Sequence, residues 1–227
     1  MTSQKKDCRN TSGLLLLSDE VKHLDPYEET DFNQILQLTK HEDASIRSDA
    51  LDALRVTGSS MVLKRCRECL EDPEALVRMS ALEGIAEHGD LSDVAHVVPL
   101  LGDRSDSARS FAVNALGCIG QAEHIPLVEQ FMNCAETERE RAYACFALRD
   151  LGKPIPLATF LDFLHSDSLG LVSFMIRNIV ELLDEDSDGE IEAVIRKISV
   201  KWQITRGIDN ILEEFERSKR GENDTIF

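Results

Sequence analysis

The chain has 227 residues, 42% of them hydrophobic, so it is long enough to bury a sizeable core and too apolar to be disordered throughout. Its 25 Lys and Arg against 42 Asp and Glu leave a formal charge of −17, which repels phosphate backbones and anionic headgroups. That balance excludes nucleic acid and membrane surfaces as expected partners and favours a protein partner that is basic in part.

In chain order, residues 1–30, with Lys5, Lys6, Asn10, Ser12, Gly13 and Pro26, read as a partly ordered lead-in. The apolar run Leu14 to Leu17 is far shorter than a signal-peptide core or the roughly 20 residues that span a bilayer, so neither export nor a membrane span is expected. Six cysteines (Cys8, Cys66, Cys69, Cys118, Cys134, Cys145) form an even set, but the chain is long and most of them sit in apolar helical patterns. Reduced thiols in a cytoplasmic protein fit better than a disulfide framework.

From residue 31 a pattern recurs four times: Arg, then Ala three later, apolar four later, Ala or Gly six later, apolar seven later, Gly eleven later. The copies are Arg47, Ala50, Leu51, Ala53, Leu54, Gly58; Arg78, Ala81, Leu82, Gly84, Ile85, Gly89; Arg109, Ala112, Val113, Ala115, Leu116, Gly120; and Arg141, Ala144, Cys145, Ala147, Leu148, Gly152. The arginines are 31, 31 and 32 residues apart. Offsets of 3, 4 and 7 fall on one helical stripe, and the Gly predicts a left-handed stop. Between copies lie apolar segments such as Phe32, Ile35, Leu36, Leu38, then Val94, Val97, Val98, Leu101, then Ile125, Leu127, Val128, Phe131, Met132. Each predicts a partner helix, so the fold class expected is all-α, an α-solenoid of about five to six antiparallel helix pairs.

These residues resemble HEAT repeats, and the Arg-x-x-Ala-x-x-Ala-Leu-x-x-x-Gly form is most similar to the short HEAT-like subgroup first associated with phycobilisome lyases, over about residues 31–152. A degenerate fifth copy follows in frame, with Ser173, Ile176, Arg177, Ile179, Val180 and Asp184, which ends the repeats at 184. Residues 185–218 read as capping helices and 219–227 as a frayed tail. The four arginines follow Asp43, Asp72, Asp106 and Glu138 by a few positions and are expected to tie successive helix starts together rather than touch a ligand.

Motifs that carry chemistry are few. The loop from Asp184 to Glu192 matches the opening of an EF-hand, with Asp184, Asp186 and Asp188 at positions 1, 3 and 5, but Ile195 stands where the closing bidentate Glu belongs. Weak calcium binding is the most it predicts, and no other cofactor is expected. Cys66 and Cys69 form a Cys-x-x-Cys with no second pair or neighbouring His to complete a zinc site. His41-Glu42 resembles one His-Glu pair of the HEAT-like di-iron hydroxylases, which repeat the pair where this chain has it once. HEAT-like DNA glycosylases need a cationic groove. No nucleophile elbow or phosphate loop occurs.

Resemblance to HEAT repeats implies that the signature helix lines the concave side, with offsets 2 and 5 facing the groove. Those positions hold Asp49, Ser80, Phe111, Tyr143 and Met175, and Asp52, Glu83, Asn114, Phe146 and Asn178, with Phe174 beside Met175. Such a groove passes from acidic to aromatic. Phe111, Tyr143 and Phe146 are expected to form one exposed patch beside Asp49, Asp52 and Glu83, because aromatics anchor interfaces. The reading is a non-catalytic adaptor, regulator or immunity-type inhibitor that engages a protein partner with basic and apolar features. The resemblance also implies an alternative, a phycobilin-lyase-like protein holding a bilin chromophore in the aromatic end.

Overall fold

The computed structural model describes residues 17–179, and every regular element among them is helical. The chain divides into two compact units, Met1–Pro154 and Ile155–Phe227. The division falls just after the fourth signature copy, ahead of the 184 at which the sequence pattern ends the repeats.

The first unit pairs α1 (Glu29–Leu38) with α2 (Ala44–Arg55), α3 (Ser60–Cys69) with α4 (Ala75–His88), a short α5 (Val94–Val97) with α6 (Asp106–Ile119), and α7 (Ile125–Cys134) with α8 (Glu138–Asp150). The four signature copies are therefore α2, α4, α6 and α8. At α2, α6 and α8 the starts are set by side chains that satisfy orphan amides: at α2, Asp43 accepts from the Ser45 amide at 2.8 Å. At α8 a reciprocal box forms, with Glu140 accepting from the Thr137 amide at 2.8 Å and Thr137 from the Glu140 amide at 3.1 Å.

The stripe at offsets 3, 4 and 7 is the core. Ala50, Ala81, Ala112 and Ala144 are buried, as are Leu51, Leu54, Leu82, Ile85, Val113, Leu116, Cys145 and Leu148. Each Leu or Ile stabilises the stack by about 1.5–3 kcal/mol relative to exposure. The signature helices pack in succession, α2 on α4, α4 on α6 and α6 on α8, whereas each first helix packs chiefly on its own partner. Small residues permit this approach. A Cβ on Gly117 would stand 2.6 Å from the Ala147 Cα. The signature helices α2, α4, α6 and α8 thus form one continuous layer, the one that the HEAT resemblance implies is the inner wall.

Two local expectations are corrected. Gly58 and Gly152 take positive φ (59° and 96°), and Gly152 closes α8 in a Schellman arrangement, with the Lys153 amide donating to the Leu148 carbonyl at 2.9 Å. Gly89 and Gly120 are instead extended. There the requirement is closeness, since a Cβ would lie 2.5 Å from the Ile85 and Leu116 carbonyl oxygens respectively. The helix expected through Val94, Val97, Val98 and Leu101 is one short turn flanked by 3-10 turns, Leu91–Asp93 and Val98–Gly102. Pro99 lacks the amide that would continue it.

In the second unit, α9 (Leu157–Phe163) is followed by α10 (Leu169–Ile179), which carries the start of the degenerate copy. Its buried side chains include Phe160, Leu164, Leu171 and Met175. No helix among the described residues is long and apolar enough to cross a membrane.

Candidate functional site

The signature arginines form a structural ladder, as their spacing predicts. Arg47 donates to both Asp72 carboxylate oxygens at 2.9 and 2.8 Å and to the His41 and Glu42 carbonyls. Arg78 repeats this one unit on, reaching Asp103 at 2.8 and 2.7 Å and the Asp72 and Pro73 carbonyls. Arg109 reaches Glu140 at 2.6 Å, Glu136 at 2.9 Å and the Asp103 carbonyl at 3.0 Å. Arg141 donates to the Ala135 carbonyl at 3.1 Å. Each of the first three staples its own interhelix loop to the next repeat. Burial, the largest single influence, raises the carboxyls of Asp72, Asp103 and Glu140, but the guanidinium hydrogen bonds together with backbone N–H donors and other favourable contacts outweigh it and hold all three below the usual carboxylate range.

The acidic positions of the inner wall do converge. Asp52 on α2 and Glu83 and Glu87 on α4 gather near Arg55, and Asp49 lies close enough to Asp52 to raise its carboxyl. Arg55 pairs closely with Glu87, while its Nη2 stands 3.9 Å from Glu83 and its Nε 4.0 Å from Asp52. The Ser48 and Ser80 hydroxyls bridge α2 and α4 at 2.8 Å, and His88 Nε2 lies 2.6 Å from the Arg55 carbonyl. Sequence reasoning missed Arg55 and Glu87, because offsets 8 and 9 lie outside the stripes it followed. The signal was present: Arg55 follows Asp52 by three positions, and Glu87 sits one repeat beyond it.

Burial pushes the Asp52 carboxyl up to about 6, opposed by Arg55 and by a hydrogen bond with Ser80, with Asp49 and Glu87 adding to the rise. Its ordinary value is 3.8, so the folded state holds the proton more tightly than the unfolded state between the two values. Ionised Asp52 therefore lowers stability above pH 6, and the loss is relieved as pH falls toward 4. Asp52→Asn is expected to stabilise the protein at about pH 7.5 by on the order of 2–3 kcal/mol and to lose that advantage at about pH 4. Urea midpoints of the two proteins across this range check it, and a gain that grows on acidification would contradict the burial argument.

The expected exposed aromatic patch is corrected. Tyr143 is 8% exposed and Phe146 6%, so both are buried; Phe111 and Asn114 are half-buried. The rings of Phe111 and Tyr143 lie 5.8 Å apart at a 37° tilt, because large apolar side chains at matching positions of adjacent repeats cover each other before they meet solvent. Glu83 is also buried, against its expected exposure, drawn to Arg55. Met175 is buried and Phe174 half-buried, both in the second unit.

Asp184, Asp186 and Asp188 lie outside the described residues. Among those described, no group of three or more His, Cys, Asp or Glu side chains is placed to hold a metal ion. Cys66 and Cys69 are free and face the core, and burial pushes the Cys66 thiol up to about 12. His41 accepts the Asp43 amide at 3.0 Å and serves the loop.

The fold of the first unit is that of a HEAT-like α-solenoid with an acidic cluster on its layer of signature helices. The family model described as HEAT repeats matches residues 32–110. Among solved structures, a chain from the complex of CpcE and CpcF of phycocyanin lyase from Nostoc sp. PCC7120 matches with a TM-score of 0.57 at 20% identity, over 67% of this chain. This chain spans 65% of that neighbour's length, and at such identity the likeness is one of fold. No curated protein matches the sequence.

Proposed function

We propose that this protein is a non-catalytic binding module whose inner wall receives a protein segment carrying basic and apolar side chains. The observation that carries the reading is the gathering of Asp52, Glu83 and Glu87 around the guanidinium of Arg55, with Asp49 close to Asp52, one helix away from the half-buried Phe111. Excess carboxylate attracts a cationic partner and sets its approach, while an aromatic in reach supplies apolar contact. The solved neighbour comes from a complex of two proteins, which supports a protein partner.

The burial of Tyr143 and Phe146 narrows the expected contact to Phe111, Asn114 and the partly exposed Asp49 and Glu87. Proteins captured by the wild type from native lysate, and lost by Phe111→Ala and Asp49→Ala, identify the partner. With that partner, Phe111→Ala is expected to cost about 2 kcal/mol of affinity. Asp49→Ala is expected chiefly to slow association and flatten its salt dependence. A partner that binds both variants like wild type would remove the inner wall from consideration.

A second reading rests on the phycocyanin lyase named for the solved neighbour: an aromatic end that takes a bilin chromophore. Mixing the protein with a bilin separates the two readings. A new visible absorption band retained through gel filtration favours the chromophore, and an unchanged spectrum favours the protein partner.

A further inference from the structure

The helices of the first two pairs alternate in direction, so one edge of the unit gathers the start of α1, the end of α2, the start of α3 and the end of α4. Five large hydrophobic side chains stand exposed among the described residues, and four of them lie on this edge: Tyr27 ahead of α1, Val56 after α2, Met61 in the first turn of α3 and Leu91 after α4. The fifth, Leu76, lies in the first turn of α4, at the opposite edge. Exposed apolar residues scattered singly need no explanation, but a gathering on one edge of two adjacent repeats marks an interaction surface.

Tyr27 is its centre. The residue is 73% exposed yet held at both ends: its amide donates to Asp25 Oδ1 at 2.9 Å, and its hydroxyl donates at 3.3 Å to the carbonyl of Val56, itself 56% exposed. An aromatic side chain fixed in this way while facing water has already lost the freedom that binding would otherwise remove. The turns of the two repeats are tied together as well. His88 Nε2 lies 2.6 Å from the Arg55 carbonyl, and a Cβ on Gly58, between Val56 and Met61, would stand 3.5 Å from the His88 ring. Leu91 follows His88 by three positions, so the edge is one framed surface rather than two independent loops.

Charge names the occupant. Glu28 and Glu29, next to Tyr27, are exposed and enter no ion pair among the described residues. The cations nearest in sequence to Tyr27 and Val56 are engaged elsewhere, Lys22 by Asp19 and Arg55 by Glu87. A partner that covers the tyrosine ring must bring positive charge to these carboxylates, since an acidic or purely apolar segment would desolvate them unpaired.

We propose that this edge, centred on Tyr27 and Val56, docks a segment of another protein that seats an apolar side chain on the tyrosine and brings lysine or arginine to Glu28 and Glu29. The surface lies at the ends of the helices rather than on the face of the signature layer, and it stands whether or not that layer receives a partner.

The test takes a displayed library of short random peptides as its probe, selected on the full chain and counter-selected on the Tyr27→Ala, Val56→Ser double variant. Both side chains are exposed, so the variant keeps its core, and Met61→Ser provides a second variant that touches neither hydrogen bond of Tyr27. The peptides expected carry an aromatic or large aliphatic residue beside lysine or arginine. On binding they should shift the amide signals of Tyr27, Val56, Met61 and Leu91 in nitrogen-15 spectra, and Tyr27→Ala should weaken them by about tenfold or more. Glu28→Gln with Glu29→Gln should slow their association and flatten its salt dependence. No enrichment over the double variant, or enrichment of acidic peptides, overturns the proposal. So do amide shifts confined to Asp49, Phe111 and their neighbours, which would leave the signature layer as the binding surface. A wild type that sediments as a dimer and a Tyr27→Ala variant that sediments as a monomer would also overturn it, because a second copy of the chain would then cover the edge.

Discussion

Arg78→Ala is expected to destabilise the first unit by about 3–5 kcal/mol. The side chain is 6% exposed and makes two bonds to Asp103 and two to loop carbonyls, so truncation strands a carboxylate and two acceptors in a partly desolvated seam. Lys at this position keeps the charge but cannot reproduce the fork, and should recover only part of the loss. Asp103→Ala should be similarly damaging, and the double variant should cost well less than the sum, because the second truncation removes a group already stranded. Urea unfolding of the four proteins provides the cycle. A loss under about 1 kcal/mol for Arg78→Ala would show that the ladder is ornamental.

Gly117→Val is expected to cost about 3 kcal/mol or more, since even the first added carbon would sit 2.6 Å from the Ala147 Cα and 2.9 Å from its Cβ. No side-chain rotation relieves a collision with backbone, so α6 and α8 must part, and the damage spreads to the buried Ala112 and Ala144. Gly102→Ala is the control, because a Cβ there meets nothing within 4 Å. Thermal midpoints should separate the two by several degrees. Equal midpoints would mean that the signature helices are not in close register.

Much of this architecture was legible in the residues. Four arginines at near-constant spacing located α2, α4, α6 and α8, and the offsets 3, 4 and 7 named their buried face, because helical geometry fixes which side chains share a stripe. The structural duty of the arginines was legible too, although of the acids read at the helix starts only Asp72 is an arginine's partner, and Asp103, Glu136 and Glu140 serve Arg78 and Arg109 instead. What periodicity cannot supply is what lies over a stripe. It placed Tyr143 and Phe146 at outward angles, yet both are covered, and it placed Glu83 in the groove without the Arg55 that draws it inward. Local chemistry also outran the pattern. A Gly at one offset served left-handed stops at 58 and 152 and close contacts at 89 and 120, and Pro99 broke a segment whose apolar spacing alone reads as continuous.

The short α5 gives the solenoid a mechanical character. Its inner layer is a continuous run of helix on helix, stiff against stretching, whereas the outer layer carries in its third repeat a single helical turn between 3-10 turns. A load that bends the stack works against both layers, and the strain collects where the fewest backbone bonds resist it. Pulled from its ends, the unit should therefore crease at Leu91–Gly102 before any other repeat yields, behaving as two stiff leaves joined by a compliant seam rather than as a uniform spring.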